Sequence, residues 1–312
     1  MDTHGPAASV ASPRSRFVSC DWGTSNLRLR LVSAAGDVER EILSGDGTAK
    51  LATLEGNRAG VFRNTLLRHL AELSAPAALP VILSGMASST IGWHELPYAR
   101  VPFALDGSDA VHCKIEDRFC LISGLCTAVD ILRGEETEAI GLAAWLGPRL
   151  PSAAVFVLPG THSKHLDIRD GVIVDFKTYM TGELFDLLAR QSVLRHSVNP
   201  DFEFEPGAFA DGVRESLRPL LSSLFRVRTR QVLDRKTTAS NTSFLSGVLV
   251  GTELNALTAQ RQPIVIAVGK HLRLSYQTAA NVLGLSDRVT LVSSELLSVM
   301  GQSVMLQRLV SA

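Results

Sequence analysis

The chain has 312 residues, 46% of them hydrophobic and 20% charged, which excludes a disordered chain and allows two domains of roughly 150 residues, each with its own core. Its 31 Lys and Arg balance its 31 Asp and Glu, so no global field favours nucleic acid or an anionic membrane, and a small ligand is expected. No apolar run reaches the ~20 residues that cross a bilayer, and the opening MDTHGPAASVASPRSR lacks an apolar signal core, so the expected location is the cytoplasm.

Residues 1–15, rich in Ala, Ser and Pro, read as a flexible tail. Between residues 17 and 43 lie three extended pieces, FVSCDW, LRLRLVSA with alternating Leu and Arg, and DVEREIL after a turn at Ala35-Gly36, which predict a β-meander. A helix is predicted over residues 55–73, because Val61, Phe62, Leu66, Leu70 and Leu73 share one face. LPVILSGMASS is a short apolar strand entering a small-residue loop, and IGWHELPYARVPF is irregular. FCLISGL is a further strand, and EETEAIGLAAWL is a helix with acids in its first turn, where the dipole favours them. Cys20, Cys113, Cys120 and Cys126 lack paired CxxC spacing, so reduced thiols are expected rather than zinc or disulfides.

After Pro148 and Pro151 the pattern begins again. AAVFVLPGTHSKHLDIRDGVIVDF reads strand, turn, strand, Asp-Gly hairpin, strand. Helices are predicted near residues 183–194, 207–224 and 244–259, with strands at PIVIAVG and RVTLVS. Two halves that open alike predict a duplicated α/β architecture, with domains 16–147 and 148–312 and a ligand cleft between them.

The first turn of each half carries the polar residues. Asp21 ends a strand and Gly23-Thr24-Ser25-Asn26 turn the chain. Gly23 leaves backbone N–H groups open to a phosphate, Thr24 and Ser25 add hydroxyl donors, and Asp21 suits a Mg²⁺ beside the phosphates. The alternative is an ordinary tight turn in which Asp21 caps neighbouring N–H groups. The second turn offers Gly160, Thr161 and Ser163 with His162, Lys164 and His165, donors and a cation that suit a transferring phosphoryl group. Alone it would read as a solvated loop; two such turns, one opening each half, favour a nucleotide held from both sides. Between them, Glu135 and Glu136 either face solvent as dipole partners or supply the base that takes a proton from an acceptor hydroxyl, and Arg133 suits an anionic substrate.

Six blocks in order, DWGTSNLRL, SGMASSTIGW with the following PY and VP, RGEETEAIG, LPGTHSKH, FKTYMTGEL and FLSGVLVGTE, closely resemble the 2-dehydro-3-deoxygalactonokinase family of sugar-acid kinases from about Ser19 to the C-terminus. The resemblance implies the actin-like ATPase fold, two duplicated RNase H-like domains, with ATP and Mg²⁺ as cofactors. It also implies transfer of the γ-phosphate to the 6-hydroxyl of 2-dehydro-3-deoxy-D-galactonate in galactonate breakdown. By the same resemblance residues 21–26 and 160–164 are the two phosphate motifs, Glu135 rather than Glu136 is the base, and Gly247, Gly251 and Gly269 pass backbone close to adenosine. Family members often carry Cys and then Lys-Trp after PGTH, where this chain has Ser163-Lys164-His165, and Lys270 stands where a smaller residue is expected.

The first half is expected to hold the sugar acid, with Asn26, Ser84, Met86, Ser88 and Ser89 as polar or close partners and Trp93 and Tyr98 as flat walls, plain core being the alternative for Trp93. Arg28, on the same side of its strand as Asn26, would pair with the substrate carboxylate, although Arg30 at the same parity allows an exposed sheet face instead. A kinase of the same fold acting on another sugar or 2-keto-3-deoxy acid is the neighbouring reading. An ATP-switched scaffold is disfavoured, as no stretch suggests a client-binding domain or polymer contact. No nucleic-acid or membrane partner is expected; the oligomeric state is left open, a homodimer being the candidate assembly.

Overall fold

The structure, a computed structural model, describes residues 15–201 and 203–311; the tail expected over residues 1–15 lies outside them except for its last residue. The chain divides into two compact units, Met1–Ser152 with Ile168–Phe176 and Ser294–Ala312, and Ala153–Asp167 with Lys177–Ser293.

The first unit opens with the predicted meander, β1 (Phe17–Trp22), β2 (Leu27–Val32) and β3 (Val38–Ser44), followed by α1 (Thr48–Ala52), α2 (Arg58–Glu72) and β4 (Val81–Gly85). Short strands β5 (Ala99–Arg100), β6 (Phe103–Ala104), β7 (His112–Glu116), β8 (Phe119–Ile122), β9 (Leu125–Cys126) and β10 (Ile131–Leu132) lead to α3 (Glu135–Leu146). The main sheet has the order β3-β2-β1-β4-β8-β7, with β1, β4 and β8 parallel. Strand β4 reads VILSG and is buried throughout, as expected of a parallel strand covered on both faces, whereas edge strand β3 carries the charged run Glu39-Arg40-Glu41. Helix α2 is capped by the Asn57 side chain, which accepts from the Ala59 N–H, and lays Phe62, Leu66 and Leu70 into a core with Trp22, Trp93 and Phe119. Each such side chain contributes about 1.5–3 kcal/mol by leaving water.

The second unit repeats this plan. It comprises β11 (Ala153–Leu158), β12 (Ser163–Arg169), β13 (Val172–Tyr179), α4 (Thr181–Arg190), α5 (Pro206–Glu215), α6 (Leu220–Val232), α7 (Thr238–Asn255), β14 (Ile264–Val268), α8 (Lys270–Val282) and β15 (Val289–Ser293). The chain crosses between units within β12 and again within β13. Strands run in the order β13-β12-β11-β14-β15, matching β3-β2-β1-β4-β8. The Asp-Gly hairpin is present, with Asp170 at φ 48° and Gly171 at φ 75°, the pair of positive values that a two-residue type I′ turn requires. The single helix predicted over 207–224 is two helices, because Pro219 ends one and caps the next; its ring fixes φ and it has no N–H to continue a ladder.

The division at 147/148 is corrected at the C-terminus. Helix α9 (Leu297–Ser311) belongs to the first unit, where it lies against α3 at glycine contacts. A Cβ on Gly141 would fall 1.9 Å from the Leu297 carbonyl oxygen, and one on Gly301 would fall 1.9 Å from that of Thr137. The buried Gln302 of α9 donates to the Cys20 carbonyl at 3.0 Å and to Ser84 Oγ at 2.8 Å. Cys20 and Cys120 are buried free thiols, and Cys113 and Cys126 are free and half-buried. Among the described residues no helix is long and apolar enough to cross a membrane.

Candidate active site

In the first unit the predicted acids converge on one spot. Asp21 is the penultimate residue of β1, opposite Arg28 on β2 and in register with Ser84 on β4. Gly85 has φ 85°, and a Cβ there would lie 2.8 Å from the Trp22 carbonyl oxygen and 3.4 Å from Asp21 Oδ1. A Cβ on Gly134 would in turn lie 3.4 Å from the Gly85 Cα, so two glycines let the start of α3 close on the ends of β1 and β4. Burial raises the Asp21 carboxyl above its ordinary range against the pull of Arg28 and Arg30, and the charge of Glu135 raises it further. Half-buried Glu135 accepts the Arg133 N–H at 3.0 Å. Glu136 is instead fully buried and turned onto its own helix end, accepting the Gly134 N–H at 2.6 Å and the Thr137 hydroxyl at 2.8 Å. Of the two candidates for the base, Glu135 is the less buried and the one whose charge acts on Asp21.

The turn after β1 is closed by Gly23 N–H donating to the Asn26 carbonyl at 2.8 Å, leaving Thr24, Ser25 and Asn26 exposed. It is braced by α1, whose Thr48 and Ala49 N–H groups donate to the Gly23 and Thr24 carbonyls at 3.0 and 3.1 Å. Behind it the Asp46 carboxylate, held below its usual range chiefly by Lys50 with His69 assisting, also accepts from Arg68 and His69.

Several expected sugar contacts are placed elsewhere. Trp93 is core, 6% exposed, packed against Trp22 and Phe119 at ring distances of 6.4 and 5.6 Å; it is no wall of an open site. Ser84 is buried under Gln302, and Ser89 is buried with its hydroxyl donating to the carbonyl of half-buried Met86 at 2.8 Å. Arg30 is buried and paired with Glu41 at 2.5 Å rather than lying on an exposed face, while Arg28 lies 3.9 Å from the same carboxylate. The group brought together is Ser88, Tyr98 and Arg133. The Arg133 guanidinium stacks 4.2 Å from the Tyr98 ring centre and donates through Nη1 to Ser88 O and Oγ at 2.7 and 2.6 Å. Its Nε is buried without a hydrogen-bond partner. A planar cation held by stacking and one edge is suited to receive a carboxylate on another.

In the second unit Gly160, Thr161 and His162 form the exposed turn between β11 and β12. A Cβ on Gly160 would meet only the His162 carbonyl oxygen, at 4.0 Å, so the protein behind the turn does not require glycine and the space in front of it is open. That space is a pocket of about 350 Å³ lined by Gly160, Thr181, Gly182, Phe185, Phe204, Ser246, Leu249, Val250, His271, Leu272, Ser275 and Tyr276. Its size and its apolar walls with a few hydroxyls suit a flat heterocycle and ribose. Ser163 and Lys164 are buried, with Ser163 Oγ donating to Glu253 at 2.7 Å and Lys164 Nζ to the His162 carbonyl at 2.9 Å; neither belongs to the open face of the turn. Gly247 and Gly251 do not face the pocket: their Cβ positions would fall 2.1 Å from the Phe209 carbonyl oxygen and 2.5 Å from Ser216 Oγ. They serve the packing of α7 on α5, while Ser246, Leu249 and Val250 of the same helix line the pocket. Gly269 caps α8, which supplies four lining residues, and Lys270 is exposed. Thr181, Gly182, Phe185, Tyr276 and the buried Glu253 were not singled out from the sequence. The signal for the first two was the FKTYMTGEL block, which Phe185 directly follows; for Glu253 it was an acid within an otherwise apolar and small-residue helix.

A family model described as 2-keto-3-deoxy-galactonokinase matches residues 21–302. The chain belongs to this family. It is 36% identical over 287 residues to "Probable 2-dehydro-3-deoxygalactonokinase DgoK1" of Rhizobium meliloti (strain 1021), covering 87% of this chain and 91% of that one. To the 2-dehydro-3-deoxygalactonokinase of Escherichia coli (strain K12) it is 31% identical over 281 residues, covering 86% and 90%. A crystal structure described as a 2-dehydro-3-deoxygalactonokinase protein from Sinorhizobium meliloti aligns with a TM-score of 0.81 at 34% identity, over 94% of this chain and 99% of that one. The fold is the duplicated actin-like ATPase fold expected from the sequence, and the chain is a kinase of this family.

Proposed function

We propose that the protein transfers the γ-phosphoryl group of ATP to the 6-hydroxyl of 2-dehydro-3-deoxy-D-galactonate, giving the 6-phosphate and ADP. The observation that carries this reading, beyond family membership, is the grouping of Asp21, Gly85, Gly134 and Glu135 at the ends of two parallel strands. The pocket beside Gly160 takes the adenosine, and the open backbone of residues 160–162 takes phosphate oxygens. Arg133, supported by Tyr98 and Ser88, takes the carboxylate of the sugar acid. Glu135 is the base that removes the hydroxyl proton as the oxygen attacks phosphorus, and its place two residues after Arg133, across Gly134, sets how far the acceptor hydroxyl sits from the carboxylate. The Asp21 carboxylate fits a divalent cation: burial and a neighbouring acid disfavour a bare negative charge there, and Mg²⁺ beside phosphates takes only one or two carboxylates. When bound, magnesium supplies charge neutralisation at the phosphates. The reading includes the cytoplasm as the compartment.

The test is ADP release in a coupled assay over a panel of sugar acids. Turnover that requires 2-dehydro-3-deoxygalactonate supports the reading; turnover only with a different acid, or slow ATP hydrolysis indifferent to all of them, rejects it. In the same assay Glu135→Gln loses ~100-fold or more in kcat with ATP KM nearly unchanged, as for loss of a general base. A Glu135→Gln enzyme that keeps wild-type kcat removes Glu135 from the chemistry.

A further inference from the structure

Glu253 lies inside α7, 1% exposed, among residues that are otherwise small or apolar. A carboxylate in such a place is costly unless both oxygens are fully used. Here they are. Oε1 accepts from Ser163 Oγ at 2.7 Å, from Tyr276 Oη at 3.1 Å and faces His165 Nε2 at 3.2 Å; Oε2 accepts from Thr181 Oγ1 at 2.5 Å and again faces Tyr276 Oη at 3.1 Å. The donors come from three elements. Ser163 and His165 open β12, immediately after the exposed turn; Thr181 is the first residue of α4; Tyr276 is in the middle of α8.

Helices α4 and α8 form part of the pocket, and so does the turn that leads into β12. Thr181 and Tyr276 line it directly, as does Gly160, three residues before Ser163. Helix α4 also meets the turn at backbone distance, since a Cβ on Gly182 would fall 2.7 Å from the Gly160 carbonyl oxygen and the Glu183 N–H donates to the Thr161 carbonyl at 3.0 Å. The His162 ring reaches Glu183 on the same helix at 2.5 Å. One buried acid thus fixes the spacing between the phosphate turn and two walls of the cavity.

We infer that Glu253 is a positioning residue for the nucleotide: through Ser163, Thr181 and Tyr276 it holds the 160–162 turn and the pocket walls in the geometry that binds an adenine nucleotide, without touching it. This rests on the proposed reading of the pocket as the nucleotide site. A core acid with a purely structural role would change stability and leave the ligand constants alone, whereas a positioning acid weakens the nucleotide and spares the sugar acid.

The experiment measures binding of the fluorescent nucleotide mant-ADP, alongside steady-state kinetics, for the wild type, Glu253→Gln, Tyr276→Phe and Thr181→Val. The amide keeps one acceptor oxygen and turns the other into a donor that meets hydroxyl hydrogens, so Glu253→Gln is expected to raise the mant-ADP Kd and the ATP KM by ~10-fold or more, with the sugar-acid KM within about two-fold. Tyr276→Phe keeps the ring wall and removes one donor, with an expected rise of ~3-fold. If Glu253→Gln does not fold, the Tyr276→Phe and Thr181→Val pair decides. Folded variants with an unchanged mant-ADP Kd, or with both KM values raised in equal measure, overturn the inference, as does a wild type that does not bind mant-ADP. A wild type that binds mant-ADP but phosphorylates no sugar acid rejects the proposed acceptor, and the Kd ratio still judges Glu253.

Discussion

The two adjacent acids at the start of α3 make opposite predictions, and Glu136 gives the sharper one. Its carboxyl is raised from 4.5 to about 7, first by burial and then by the charge of Glu135, against the Thr137 hydroxyl and the Gly134 N–H, which favour the ionised form. The unfolded chain releases this proton near the ordinary value while the folded chain keeps it to about pH 7, so between those values the unfolded state binds fewer protons and stability falls as pH rises. At about 1.36 kcal/mol for each pH unit between the two, the loss is about 3 kcal/mol when complete near pH 8. Glu136→Gln cannot ionise, and its amide reproduces the protonated acid: the oxygen accepts the Gly134 N–H and the NH₂ donates to the Thr137 hydroxyl. The variant is therefore expected to match the wild type within ~1 kcal/mol at pH 5 and to exceed it by up to about 3 kcal/mol at pH 8, with turnover largely kept.

The assay is urea unfolding followed by tryptophan fluorescence at pH 5, 6, 7 and 8. All three tryptophans, Trp22, Trp93 and Trp145, belong to the first unit, so the signal reports the unit that contains Glu136. A difference between wild type and variant that stays constant from pH 5 to 8 refutes the buried, proton-holding role. Loss of turnover in Glu136→Gln with none in Glu135→Gln exchanges the roles of the two acids.

Gly301→Ala places a methyl 1.9 Å from the Thr137 carbonyl oxygen, so α9 must move off α3 and Gln302 off Ser84 and Cys20; the expected cost is ~1–3 kcal/mol, a fall in Tm of several degrees by scanning fluorimetry, and an unchanged Tm would show that the helices part freely. Arg133→Lys keeps the charge but loses the plane that stacks on Tyr98 and the fork that holds Ser88; the sugar-acid KM is expected to rise ~10-fold with ATP KM within two-fold, and equal rises in both would remove Arg133 from carboxylate recognition.

Helix α3 was legible residue for residue because glycines punctuate it on both sides, Gly134 at φ 108° and Gly147 at φ 51°. The meanders were legible for a similar reason, through alternation and the Asp170-Gly171 hairpin. What a buried polar or small residue faces was not legible. The four-residue spacing of Gly247 and Gly251 reveals a small face on α7, but the same spacing serves a nucleotide or a helix, and the object that comes close is the backbone of α5. Ser84 and Ser89 offered hydroxyls in a loop-like stretch; both are buried and spent within the protein. Trp93 followed the same small-residue stretch and went to the core, since burying so large a ring outweighs presenting it as a wall.

The difference between what could and could not be read follows from the sheet. In each unit the first strand of the meander is central and runs parallel to its neighbour, β1 beside β4 and β11 beside β14, so the two carboxyl ends open at one edge, where ligands of α/β sheets bind. Asp21 and Gly85 sit at that edge in the first unit, and the 160–162 turn and the start of α8 sit at it in the second. Their position is set by strand length, a local property that sequence patterns carry. Glu253, Tyr276 and Gln302 reach their places through helix faces, and the neighbour of a helix face is chosen by packing over the whole unit. Residues at the strand ends were therefore findable, and the residues that line the pocket or brace those ends from helix faces became visible only when the helices were seen against the sheet.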